Sequence, residues 1–64
     1  MRLSDVQQLL ARRCQEAGSQ RRFAEAHGMN VQYVSQVLSG HRPPSDKLCK
    51  VLGIKDAGRR WVKT

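Results

Sequence analysis

The stretch that decides the fold runs from Ser19 to Gly40, SQRRFAEAHGMNVQYVSQVLSG. Two glycines and two capping residues cut it into a pair of short helices. The Ser19 hydroxyl suits the free N–H groups of a helix start, and the run after it ends at Gly28, where a left-handed backbone closes a helix without steric cost. Within that run Phe23, Ala24 and His27 share one face. Asn30 caps again, and Val31, Val34, Val37 and Leu38 form an apolar stripe that stops before Gly40. Gln32, Ser35, Gln36 and Ser39 fall on the opposite side. The β-branched content would suit a strand, but the spacing is helical and the distance between glycines fits about nine residues of helix. Ala24 puts only a methyl group where two helices would cross, and Gly28 lets a turn of about three residues join near-perpendicular helices. The segment reads as helix, tight turn, helix, with one polar face left outward.

Upstream, Ser4 and Gln7 form an S-x-x-Q capping box. Val6, Leu9, Leu10, Arg13, Cys14 and Ala17 then repeat at helical spacing as far as Gly18. Downstream, His41 to Pro44 must be extended, because each proline disfavours helix in the residue before it. Ser45 caps a fourth helix, Asp46 suits its positive end, and Leu48, Val51 and Leu52 supply the apolar face before Gly53. After Ile54 the period is lost: Ala57-Gly58 interrupts any helix, and Arg60 to Lys63 reads as a short strand. The core expected from these patterns includes Phe23, Val34, Val37, Leu38, Leu48, Val51 and Leu52.

Composition limits the function. At 64 residues the chain is one domain with a thin stability margin and little room for an enclosed active site. Twelve Lys and Arg face five Asp and Glu, for a formal charge of +7 and a pI near 10.5, a footprint expected of nucleic-acid binders, whose cations release counterions from phosphates, and shared by ribosomal proteins, membrane-surface peptides and some toxins. No apolar run approaches a membrane span, no secretion signal opens the chain, and Cys14 and Cys49 read as reduced core thiols. A cytoplasmic location is expected. Five acids and two scattered histidines assemble no nucleophile–base pair, and Cys14, His27, His41 and Cys49 lack zinc spacing. The expectation is a protein that is not an enzyme, with no metal and no cofactor.

The run Ser19 to Ala24, then Gly28, Val34-Ser35 and Leu38-Ser39-Gly40, resembles the helix-turn-helix of the lambda-repressor-like family, which includes phage repressors and Cro proteins. The likeness continues through Pro43 to Leu48 and Leu52-Gly53-Ile54, covering residues 4–54. It implies an all-α fold, a compact four-helix lambda-repressor-like domain with a central helix-turn-helix; many relatives add a fifth helix, where this chain instead has a short C-terminal tail whose residues read as carrying one β-strand. It also implies a division into a DNA-binding domain, 1–54, and a basic tail, 55–64, with Lys55, Arg59, Arg60 and Lys63 against Asp56.

The resemblance assigns roles residue by residue. Val31 to Ser39 becomes the recognition helix, entering the major groove of double-stranded DNA. Gln32 and Gln36, one turn apart, suit bidentate contact to adenine. Asn30, Val31 and Ser35 complete the base-contacting set, with Val31 able to meet a thymine methyl. Gln20 matches a family position that bonds a phosphate, and Arg22, Tyr33, Ser39, His41 and Arg42 are the other phosphate candidates. Arg21 and Arg22 also read as simple solvated charge. In some relatives an arginine placed like Arg13 pairs with a Glu near the end of the recognition helix; this chain has Leu38 there, so Arg13 lacks that partner.

Cro-like relatives often dimerise through C-terminal segments, so Trp61 and Val62 are candidates for pairing with a second copy. The alternative is that Trp61 folds back over the core. A dimer on DNA would read two half-sites about 34 Å apart. The expected function is a sequence-specific transcriptional regulator, phage-encoded or nucleoid-associated, with no small-molecule effector. The rival is a protein-binding module on the same fold, such as an antitoxin or anti-repressor.

Overall fold

The computed structural model describes residues 2–58 and 60–64; Arg59, one of the tail's cations, lies outside the described residues, as does Met1. Four helices come first: α1 (Leu3–Ala17), α2 (Gln20–Ala26), α3 (Val31–Leu38) and α4 (Asp46–Leu52). Two strands follow, β1 (Ile54–Asp56) and β2 (Trp61–Lys63). The protein is mostly helical with a small two-stranded sheet.

Local capping explains most boundaries. Ser19 Oγ accepts from the Arg22 amide at 3.1 Å, Asn30 Oδ1 from the Gln32 amide at 2.8 Å, and Ser45 Oγ from the Leu48 amide at 3.3 Å. Each bond satisfies a donor that the first turn of a helix leaves unpaired. Gly18 ends α1 with φ +107°, and Gly28 carries φ +65° in the turn between α2 and α3. That turn is held by the Met29 amide on the Ala24 carbonyl at 2.7 Å.

The start of α1 differs from the expected box. The helix begins at Leu3, and the Asp5 carboxylate accepts from the Arg2 amide at 2.9 Å. The N-cap is Arg2, so Ser4 lies inside the first turn and does not cap, while the Gln7 side-chain amide donates to the Val37 carbonyl, 3.3 Å away on α3.

One core serves the described residues. Val6, Leu10 and Cys14 meet Phe23 and Ala24, Val34 and Val37, Leu48, Cys49 and Leu52, and Ile54. Leu38 and Val51, expected fully inside, are only partly buried against this cluster. Ala24 is 1% exposed, as a methyl group at a helix crossing requires.

The all-α expectation holds through Leu52 and gives way after Gly53. The strand expected at 60–63 is present as β2, and it pairs antiparallel with β1, which sequence reading missed. The register sets Ile54 opposite Lys63, Lys55 opposite Val62 and Asp56 opposite Trp61. Asp56 Oδ1 accepts from the Gly58 amide at 2.9 Å, shaping the connection. The expected boundary between residues 54 and 55 therefore falls inside β1, whose first residue belongs to the core. Trp61 packs inward against that core beside Cys49, whose thiol pKa its indole lowers; Val62 stays 42% exposed.

Candidate nucleic-acid interface

α3 carries no charged residue, so its outer face is defined by shape and amide chemistry. Val34 and Val37 are fully buried, fixing the rotation of the helix about its axis. At about 100° per residue, Gln32, Ser35, Gln36 and Ser39 then share an arc of roughly 100°, and all four are exposed. Val31 joins them at one edge, 38% exposed. Neither the Gln32 nor the Gln36 carboxamide is engaged by a hydrogen bond among the described residues, so each keeps a donor and an acceptor available side by side. Asn30 is also exposed, but its Oδ1 is committed to capping.

The C-terminal end of α3 is folded tightly. Gly40 adopts φ +83°, and the His41 amide returns to the Gln36 carbonyl at 2.8 Å. Ser39 Oγ donates to the Ser35 carbonyl at 2.9 Å and lies 2.9 Å from His41 Nδ1. Arg42 is exposed just beyond. Gln20 sits in the first turn of α2, also exposed, with its amide unengaged among the described residues.

Two of the expected phosphate residues have neighbours within the fold. The Tyr33 hydroxyl donates to the Pro43 carbonyl at 3.2 Å and accepts from the Ser45 amide at 2.6 Å. Its bonding capacity is spent on the 43–45 loop, so it clasps α3 to the start of α4. Arg22 lies along the α1 terminus: a Cβ built on Gly18 would come within 3.1 Å of Arg22 Cδ and 3.3 Å of its Nη1. Gly18 makes room for that side chain. Arg21 forms a surface ion pair with Glu25 at 3.2 Å, an arrangement that contributes little to stability.

Tyr33→Phe removes both ends of the clasp. An unfolding free energy lower by about 0.5–1.5 kcal/mol is expected in urea titrations, because water replaces the lost partners at this exposed site. A change near zero would mean that the loop holds its place without the hydroxyl.

Two positioning residues escaped the sequence reading. Gln7 ties α1 to the end of α3, and a Cβ on Gly40 would approach its Nε2 to 3.1 Å. Lys47 on α4 donates to the Gly28 carbonyl at 3.1 Å, holding the turn. No local pattern marks either residue, since the partners lie 30 and 19 positions away. α3 is thus tied at both ends as well as along its buried face.

Elsewhere, burial raises the Cys14 thiol above its ordinary pKa. Cys49 is raised by burial and by the charges of Asp46 and Asp56, against the lowering effect of the Trp61 indole. Both thiols stay protonated and weakly nucleophilic near neutral pH. Among the described residues no three His, Cys, Asp or Glu side chains converge as a metal site would need. No described helix is long and apolar enough to cross a membrane. No family model, curated protein or solved structure matches the chain.

Proposed function

We propose that this protein is a sequence-specific double-stranded DNA-binding regulator with a lambda-repressor-like helix-turn-helix, of the phage repressor or Cro type, which sets α3 in the major groove. The observation that carries the reading is the outer face of α3: two unengaged carboxamides one turn apart, on an uncharged helix held by core contacts and by bonds from Gln7, Tyr33 and Lys47. Adenine N6 and N7 match a carboxamide bidentately. Gln32, Ser35, Gln36 and Val31 read bases, with Asn30 at the groove edge. Gln20, Ser39, His41 and Arg42 meet phosphates and fix the register. A pI near 10.5 supplies the sequence-independent attraction. Two copies related by a dyad would span two half-sites, with Val62 as the available apolar side chain on the strand.

Selection from a random duplex library at about 150 mM salt tests the proposal. Enrichment of a motif with half-sites one helical turn apart, about 34 Å, is expected. Soluble, folded protein that enriches nothing would overturn it. Arg42→Ala should weaken binding to all sequences alike and lower the salt slope by about one; a loss confined to the selected motif would remove Arg42 from the phosphate set.

A further inference from the structure

The outer face of α3 works with a short chemical vocabulary. It carries no charge, and its two long exposed polar side chains, Gln32 and Gln36, are both carboxamides with no hydrogen-bond partner among the described residues. Val31, 38% exposed, is the only large apolar side chain that the helix turns outward among the described residues. The helix is also held against sliding. Val34 and Val37 are 0% exposed, the Gln7 amide donates to the Val37 carbonyl at 3.3 Å, and Lys47 Nζ donates to the Gly28 carbonyl at 3.1 Å.

We propose that methylation of adenine N6 acts as an off-switch for this face: the protein binds its site while the adenine beneath Gln36 is unmodified and leaves it when that adenine carries an N6 methyl group. The inference rests on the reading of α3 as the base-contacting helix and adds its regulation. In a paired adenine one N6 hydrogen bonds thymine, and the other lies in the major groove beside N7. A carboxamide accepts that second hydrogen on its oxygen and donates its own N–H to N7. While the base stays paired, an N6 methyl group must take the groove side. It removes the donor and puts a carbon where the carboxamide oxygen sits, and an acceptor desolvated without a partner is costly. Two features keep the loss from being recovered. α3 has no charged side chain to substitute for the lost contact. Tied at both ends and locked by its buried valines, it resists the shift that would make room for the methyl group. Val31 singles out Gln36 over Gln32. It stands next to Gln32 and offers apolar cover to a methyl group there, whereas Gln36 lies about 7.5 Å further along the axis and roughly 140° round it.

The test uses the full-length protein and duplexes carrying the selected motif, each with N6-methyladenine at one adenine of either strand, and reads binding isotherms at about 150 mM salt. One such substitution is expected to weaken binding about 5- to 150-fold. At that adenine Gln36→Ala should bind methylated and unmethylated duplex equally, while Gln32→Ala should keep the discrimination. Far-ultraviolet circular dichroism verifies that both variants are folded. Equal affinity of the wild-type protein for every singly methylated site overturns the proposal. So does a loss of the same size in Gln36→Ala, which would make it an effect of the methyl group on the duplex itself. A motif whose Gln36-dependent base pair contains no adenine also overturns it, with base reading by α3 left standing. Selection that enriches no motif removes the base-reading role and this switch together.

Discussion

Leu48→Ala is expected to lower the unfolding free energy by about 2–5 kcal/mol. Leu48 is 0% exposed and among the largest fully buried side chains, with Leu10, Val6, Val34 and Val37. It lies where α4 meets the core that also holds α3. Truncation loses its transfer free energy and leaves a cavity that neighbouring residues fill only in part. A single core of 64 residues rarely supplies more than about 3–5 kcal/mol, so the variant should be largely unfolded near 37 °C. Thermal and urea melts followed by far-ultraviolet circular dichroism decide it. Val62→Ala, at an exposed strand position, serves as the control and should change stability by no more than about 0.5 kcal/mol. A Leu48→Ala cost below 1 kcal/mol would mean that α4 is not held by the packing described.

Gln36→Ala is expected to cost about 1–3 kcal/mol on the selected DNA motif, roughly 5- to 150-fold in affinity, and to relax preference at one base pair. The carboxamide has no partner among the described residues, so its removal breaks nothing inside the fold. The melting curve should be unchanged, which separates readout from stability. Binding isotherms on the selected site, and on variants changed at each position, locate the relaxed base pair. A loss equal at every sequence would place Gln36 on the backbone of DNA. No loss at all would remove α3 from the base-reading role.

How much of this was readable beforehand follows from how far each interaction reaches along the chain. The Ser19, Asn30 and Ser45 caps bond two or three residues away. A pattern of residue types over one helical turn is enough to find them. The exposure of Gln32, Ser35 and Gln36 is equally legible, because Val34 and Val37 fix the inward direction of α3. Contacts across the fold leave no such trace. Tyr33 looked like a residue facing DNA, and only folding brings its hydroxyl to Ser45, 12 positions on. Gln7 looked like half of a local capping box, and only folding brings its amide to Val37, 30 positions on. β1 is three residues long, too short for alternation to show, and exists because β2 pairs with it.

The seat of Trp61 has a practical consequence. It is the only tryptophan in the chain, and its ring packs against the core that contains Cys49. Emission excited at its absorption edge therefore reports on the hairpin, whereas ellipticity reports on the helices. The molecule contains its own optical label at the seam between its two kinds of secondary structure. Whether strands and helices come apart together, as one cooperative unit, is visible without attaching anything to it.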